Sequence, residues 1–187
     1  MKRSESGISL VELLIVVSIL AILLAITGLG SDAVERQRVA GTTRELLADL
    51  QRVRQDAITR SSATTSRGAG IRFASATSYV TFEFDDADSD YQYDPAPAIE
   101  ELASSVQTKT LSGSLSLTLG GADPTGTVII FDKQGMPRGT DWTFATGGGD
   151  LRFVVQSSRL PALAKCIVLS QARIREGVLD GANCVVS

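Results

Sequence analysis

The chain has 187 residues, with 18 Lys and Arg against 21 Asp and Glu, two Cys and no His. The absence of His excludes Ser-His-Asp and Cys-His catalytic sites, and two cysteines are too few for a four-cysteine zinc site. A formal net charge of −3 excludes a protein that coats nucleic acid with its whole surface, so any such binding must be local. We therefore expect one domain with an appendage, and no enzyme activity, metal site or cofactor.

An apolar segment dominates the N-terminal region. The 22 residues from Ile8 to Leu29 are interrupted only by two serines, one glutamate, one threonine and one glycine. As a helix they would span about 33 Å, enough to cross a hydrocarbon core of about 30 Å. A cleaved secretory signal peptide is the alternative, but the run is longer than the usual apolar core, lacks a small-x-small cleavage site and contains Glu12. The pattern predicts a transmembrane helix over residues 8–30.

Glu12 is the unusual residue of this segment. An ionised carboxylate in hydrocarbon costs about 2.5–3.5 kcal/mol and needs a partner. The apolar run holds no cation, whereas a cut after Gly7 would create an α-amino group close to the glutamate. The alternative is a glutamate that reaches back to the membrane surface near the start of the helix.

The residues around Glu12 resemble a known export signal. The short basic leader that ends at Gly7, followed by Ile8 and by Glu12 five residues beyond the glycine, is similar to the class III signal of type IV prepilins and type II secretion pseudopilins. The resemblance implies that prepilin peptidase removes residues 1–7, that the new amino group of Ile8 is methylated, and that Glu12 neutralises the amino terminus of an adjacent subunit during filament assembly. The family usually has Phe where this chain has Ile8.

The chain continues at helical spacing over residues 31–62. The opposite side of this helix carries charged residues, among them Asp49 and Arg54, and is predicted to face solvent. Glycines predict a kink or a melted turn near Gly28–Ser31. One apolar stripe is predicted to be buried, and it consists of Val39, Thr43, Leu46, Leu50, Val53 and Ala57, widened by Leu47 and Ile58.

The pattern changes from helical spacing to alternation after a loop of small, polar residues. An antiparallel sheet of such strands needs one face covered, and the apolar stripe of the helix is the available cover. The sequence predicts an α+β fold: one long N-terminal helix, transmembrane in its first half, packed on a β-rich domain of residues 63–187. The resemblance to prepilins implies that this fold is pilin-like. Strands are predicted at residues 71–73, 79–84, 115–119, 127–131, 142–144, 151–155 and 166–169.

Two segments of this domain resemble one family. Residues 128–139, a strand followed by a glycine-containing turn, and residues 166–175 look like the C-terminal half of the GspH/FimT family of minor pseudopilins and minor pilins. The resemblance implies that the chain is a filament subunit. Together with the N-terminal signal, it covers most of the chain and leaves out residues 85–113.

The two cysteines, Cys166 and Cys184, are 18 residues apart. Lys2 and Arg3 precede the apolar segment, so the positive-inside rule leaves the N-terminus in the cytoplasm and carries the rest to the periplasm, where disulfides persist. We expect a disulfide that contributes about 3 kcal/mol on the entropy model. Two buried free thiols are the alternative.

The tail carries a candidate DNA-binding site. Arg173 and Arg175 are two apart on a predicted strand, which would place both side chains on one face about 6.6 Å apart. The sequence Ala172 to Arg175 also resembles the Gly-Arg-x-Arg motif of DNA-binding minor pilins, with Ala172 in place of the glycine. Lys165 is expected to add positive charge. The alternative is a pair of arginines that keeps an edge strand soluble.

An acidic run, Asp85 to Asp90, has the alternating carboxylates of a calcium loop. The turn glycine and the closing glutamate of such a loop are missing, because no glycine follows Asp90 and Pro97 stands at the closing position. A solvated hairpin loop is therefore favoured.

The combined pattern predicts a non-enzymatic minor subunit of a type IV pilus or a type II secretion pseudopilus. Such a subunit is held in the bacterial inner membrane and packs against other pilin subunits through its N-terminal helix. Two functions compete within this class: capture of double-stranded DNA for natural transformation, or protein export at a pseudopilus tip without DNA binding. An enzyme anchored by a single span is the least favoured alternative, because no convergent polar site is visible.

Processing of the N-terminus is directly testable. The chain purified from membranes is expected to begin at Ile8 and to carry the mass of one added methyl group, measured by intact-mass spectrometry. Gly7→Leu is expected to block cleavage and leave residues 1–7 attached, whereas Ile8→Phe, which installs the usual residue of the family, is expected to be processed normally. A wild-type chain that keeps Met1 to Gly7 would contradict the prediction.

Overall fold

The computed structural model of the chain describes residues 9–60, 67–85, 93, 101–140, 143–145, 147, 149–181 and 183–186. Within these residues it contains one helix, α1 (Leu10–Arg60), and ten strands. The strands are β1 (Arg67–Ser75), β2 (Ser78–Asp85), β3 (Gln107–Thr110), β4 (Leu115–Leu119), β5 (Val128–Phe131), β6 (Pro137–Arg138), β7 (Leu151–Ser157), β8 (Ala164–Leu169), β9 (Ile174–Asp180) and β10 (Asn183–Val186). The chain divides into two compact units, one up to Gln37 and one from Arg38 onward.

The helix α1 has helical backbone throughout Gly28–Ser31. The melted turn predicted there is wrong, because a glycine in a helix costs only about 1 kcal/mol and does not by itself end a long helix. The predicted end of the helix near residues 61–62 lies outside the described residues. Every side chain from Leu10 to Leu24 is exposed.

In the part of the chain that the structure describes, no helix is long and apolar enough to cross a membrane. The predicted span, residues 8–30, includes Ile8 and the side chains of residues 25–30, which lie outside the described residues. The transmembrane segment therefore stays a prediction.

The predicted apolar stripe of α1 is confirmed at its six central positions. Ile58 is an exception, since 40% of it is exposed. Asp49 is a second exception, because it was predicted to face solvent and is buried. The confirmed positions are Val39, Thr43, Leu46, Leu50, Val53 and Ala57.

The strands form two antiparallel sheets of five, where the sequence predicted one sheet. In the first sheet the strand order is β3-β2-β1-β5-β6, and in the second it is β10-β9-β8-β7-β4. The chain crosses between sheets because β5 pairs with β1, whereas β4 pairs with β7. Of the strand predicted at residues 142–144, Trp142 lies outside the described residues and Phe144 forms an isolated bridge with Arg138.

Both sheets share one hydrophobic core with the second half of α1. The helix contributes the apolar part of its buried stripe. The strands β1, β2, β4, β5, β7 and β8 each contribute at least one buried residue, whereas β9 contributes the partly buried Ile174. The largest buried members from the strands are Ile71, Phe73, Tyr79, Leu115, Leu117, Ile129, Phe131, Phe153, Ile167 and Leu169. Because the same helix face covers both sheets, the α+β prediction is confirmed, with two sheets where one was expected.

A second, smaller cluster lies apart from the main core and consists of Phe82, Phe84, Tyr93 and Ile130. Tyr93 packs its ring 5.0 Å from that of Phe82 and donates a hydrogen bond to Glu101 Oε1 at 2.5 Å. Burial and this hydrogen bond raise the pKa of the Tyr93 hydroxyl above its ordinary value. The cluster thus covers β2 with a residue from the long β2–β3 connection.

A buried hydrogen bond links the helix to the first sheet. Tyr79 donates from its hydroxyl to Asp49 Oδ2 at 2.8 Å, and Arg52 Nη2 donates to Asp49 Oδ1 at 2.8 Å. Burial, followed by the bond to Asp49, raises the pKa of the Tyr79 hydroxyl. The tyrosine therefore stays protonated and remains a donor, and the buried carboxylate has a partner for each oxygen.

Removal of this hydroxyl is expected to weaken the fold. Tyr79→Phe should lower the free energy of unfolding by about 2 kcal/mol, because a buried hydrogen bond to a charged group contributes about that much. Urea denaturation of Tyr79→Phe, Asp49→Asn and the double variant measures the coupling between the two side chains. Purely additive effects of the two substitutions would show that the bond does not contribute.

Candidate functional site

The arginines of the tail lie at a tight turn between β8 and β9. Leu169 pairs with Ile174, and the backbone N–H of Ser170 donates to the carbonyl of Arg173 at 2.9 Å. The Ser170 hydroxyl accepts the backbone N–H of Arg173 at 3.0 Å. The chain therefore reverses direction at Gln171 and Ala172.

The turn determines the positions of the two arginines relative to β9. β9 begins at Ile174, so Arg175 lies on the strand and Arg173 lies immediately before it. The prediction that both lie on one strand is wrong for Arg173, because Ser170 holds this residue in the turn. Both arginine side chains are exposed, whereas Ile174 between them packs against the main core.

Arg173 and Arg175 line a groove of about 530 Å³ between this turn and α1. Arg54 lines the opposite wall and donates from Nη1 to the carbonyl oxygen of Ala172 at 2.9 Å, so it connects the two walls. Among the described residues, no Asp or Glu lines the groove. We call this feature the arginine groove, and its lining is Gln51, Arg54, Gln55, Ile58, Ala172, Arg173, Ile174 and Arg175.

A second turn, between β5 and β6, contacts the same part of α1. Buried Asp132 organises it: Oδ1 accepts two backbone N–H groups of the turn at 2.9 Å, and Oδ2 accepts Nε of Arg138 at 2.9 Å. Gly135 has a φ of 74°, and a Cβ there would lie 2.7 Å from Ile58 Cδ1 and 2.9 Å from Arg54 Nε. A turn from each sheet therefore contacts Arg54.

Lys165 does not belong to the arginine groove. It lies on β8, it is absent from the groove lining, and its ammonium forms an ion pair with Glu176 of β9. Lys165 therefore lies outside the groove with a carboxylate against its ammonium, and its contribution to a DNA-binding site stays a prediction. Arg152 lines a different pocket, on the second sheet.

The predicted disulfide between Cys166 and Cys184 is present. It joins β8 to β10, and β9 lies between these strands in the sheet. The residue of β9 that pairs with Cys166 is Gly177, where a Cβ would lie 2.6 Å from the carbonyl oxygen of Val185. The bond therefore crosses β9 beside a residue without a side chain and ties the last strand to β8.

The predicted processing and assembly residues belong to the N-terminal unit. Gly7 and Ile8 lie outside the described residues, and Glu12 is exposed in the first turn of α1. Negative charge is favourable there, because the first turn of a helix has unpaired N–H groups. Within the described part of the chain, no group of three or more acidic or cysteine side chains could hold a metal ion, and residues 86–90 of the acidic run lie outside that part.

Two family models match the chain. One, described as the prokaryotic N-terminal methylation motif, matches residues 2–28. The other, described as the type II transport protein GspH, matches residues 42–171, more than half of the chain. The chain belongs to the GspH family. Neither a curated protein nor a solved structure matches it.

Membership of the GspH family confirms the predicted GspH/FimT-type pilin. The chain is a membrane-anchored minor pilin or pseudopilin of a type IV pilus or type II secretion system, a class that assembles with other pilins and is processed by prepilin peptidase. The GspH match includes the helical wall of the arginine groove and ends at Gln171. Arg173 and Arg175 therefore lie beyond the matched region.

Arg54 is the groove residue that sequence reasoning missed, since it was assigned to a solvated face. A signal was present, because Gln51, Arg54, Gln55 and Ile58 recur at steps of three and four and form a second stripe beside the buried one. The pattern gives the shared face but not the hydrogen bond to Ala172, which is 118 residues away.

The close packing of β10 and the disulfide against Gly177 can be tested by adding a methyl group at this position. Gly177→Ala should lower the free energy of unfolding by about 1–3 kcal/mol, because the added methyl group overlaps the Val185 carbonyl. Gly113→Ala is the matched control: a Cβ there has no atom within 4 Å, and the change should be neutral or stabilise by up to about 1 kcal/mol. Equal effects of the two substitutions in urea denaturation would rule out the close approach.

Proposed function

We propose that this GspH family chain is a minor pilin that binds double-stranded DNA in the arginine groove during DNA uptake for natural transformation. The observation that carries the proposal is a groove lined by Arg54, Arg173 and Arg175 with no carboxylate among its described lining residues. The chain as a whole has a formal net charge of −3, so this local concentration of positive charge stands out from the average composition. A polyanion is the ligand class that such a groove attracts.

Phosphate groups match the chemistry of these side chains. A guanidinium presents N–H donors in a planar fork that fits phosphate oxygens, and it keeps its charge at all physiological pH values. Contacts from Arg173 and Arg175 alone would give a slope of about −1.8 in a plot of log affinity against log salt. Binding of this kind is weak and independent of base sequence, because phosphate contacts carry no sequence information.

The N-terminal region completes the proposal. Cleavage after Gly7 and methylation of Ile8 would give a mature chain that crosses the inner membrane once, with its N-terminus in the cytoplasm and the globular unit in the periplasm. Glu12 would then pair with the amino terminus of a neighbouring pilin subunit. The match of residues 2–28 to the methylation motif supports this arrangement, as does the positive-inside rule applied to Lys2 and Arg3.

A second candidate function is protein export without DNA binding, as a pseudopilin at the tip of a type II secretion pseudopilus. The observation that favours it is the description of the matching family as a type II transport protein. The two candidates differ in one property of the folded chain, which is affinity for DNA.

Duplex binding by the full chain in nonionic detergent separates these candidates. Fluorescence anisotropy with a labelled duplex should show binding that weakens about 12-fold or more between about 50 and 200 mM salt. Arg173→Gln/Arg175→Gln should remove the slope of about −1.8 that these two side chains contribute, together with most of the binding. Arg44→Gln/Arg159→Gln changes the charge by the same amount at exposed positions outside the groove and should bind like the wild type.

Either result assigns a function. Salt-sensitive binding that only the groove variant loses supports DNA capture. A wild-type chain that does not bind duplex at low salt overturns the DNA-capture proposal and favours the export function. Equal losses of duplex binding in the groove variant and the control variant would do the same.

A further inference from the structure

The helical wall of the arginine groove holds a guanidinium that is hydrogen-bonded to one turn and lies close to another. Arg54 donates to the carbonyl oxygen of Ala172 at 2.9 Å, which attaches it to the β8–β9 turn. Gly135 of the β5–β6 turn also lies close to this side chain, since a Cβ there would lie 2.9 Å from Arg54 Nε. Arg54 is also only partly exposed, whereas Arg173 and Arg175 are exposed.

The hydrogen bond to Ala172 changes what Arg54 can do for a ligand. An arginine loses side-chain rotamer entropy when it orders on a ligand, and a side chain that is already held loses less. A guanidinium has five N–H donors, so one bond to Ala172 leaves donors for an anion, and the positive charge is kept. Gln51 and Gln55 stand on the same wall, and their amide groups are neutral donors of the kind that contact phosphate.

We infer that Arg54 is a third phosphate-binding residue and that a DNA strand lies in the groove, between α1 and the β8–β9 turn. This inference rests on the proposed function and adds to it, because a site made by the tail alone would need only Arg173 and Arg175. The strand contacts the helix and the tail at once. Three contacts give a salt slope of about −2.7 in place of about −1.8.

The test compares single substitutions in the full chain, with the same labelled duplex. Arg54→Gln should reduce the magnitude of the slope by about 0.9. The ratio of the affinities at about 50 and 200 mM salt would then be about 3.5 times smaller than for the wild type. Arg44→Gln, on the same helix but outside the groove, removes the same charge and should leave the slope unchanged.

Arg54→Lys separates the charge from the geometry of the guanidinium. Lysine keeps the positive charge but lacks the planar fork that reaches Ala172 and a phosphate together, so affinity should fall while the salt slope stays near that of the wild type. Thermal denaturation of each variant shows whether it is folded. If Arg54→Gln does not fold, the measurement on Arg54→Lys takes its place. A reduced salt slope in a folded Arg54→Lys chain would contradict the inference that the charge at this position contributes to phosphate binding.

Failure of this inference is distinguishable from failure of the proposed function. If Arg54→Gln behaves like Arg44→Gln while Arg173→Gln/Arg175→Gln loses binding, Arg54 does not contact phosphate and the tail alone binds DNA. If the wild-type chain does not bind duplex, both fall together.

Discussion

The second half of α1 buries one apolar face against two sheets at once, and the positions of the strands and turns depend on this contact. Leu46, Leu50, Val53 and Ala57 are almost completely inaccessible and share one core with strands of both sheets. A five-stranded sheet with an uncovered apolar face would be exposed to solvent and to aggregation. The helix removes this exposure for both sheets. It also gives the turns of each sheet a common surface, which is how residues more than 100 positions apart come to form one groove.

The accuracy of the sequence-based prediction depends on how far apart along the chain the interacting residues lie. The stripe of α1 and the apolar strands were predicted because their periodicity is local. The strand β3 was missed because its residues, Gln107–Thr110, are polar and lie at an edge of the first sheet, where alternation is not required. The division into two sheets depends on which strands pair across long stretches of chain, and no local pattern carries that information. Asp49 was misassigned because its partner, Tyr79, is 30 residues away.

The candidate site shows the same difference between local features, which were predictable, and contacts that depend on the folded chain, which were not. Arg173 and Arg175 could be singled out from their spacing, and the cysteines from their separation. The role of Ser170, which moves Arg173 from the strand into the turn, depends on a hydrogen bond that only the folded turn defines. The ion pair of Lys165 with Glu176 was not predicted because it joins neighbouring strands, and Arg54 was overlooked because its partner is the backbone carbonyl of Ala172, 118 residues away. Charge in a sequence is therefore informative only when the neighbours of each charge are known.

The disulfide across β9 also limits exchange of strands between copies of the chain. β10 is a short edge strand of the second sheet, and an edge strand can leave its own sheet and pair with the same position in a neighbouring molecule. Subunits packed in a filament are close together, which favours that exchange by raising the effective concentration of the neighbour's edge. Because Cys184 of β10 is bonded to Cys166 of the same chain, each copy keeps its own β10. The bond therefore keeps β10 in the sheet of its own subunit.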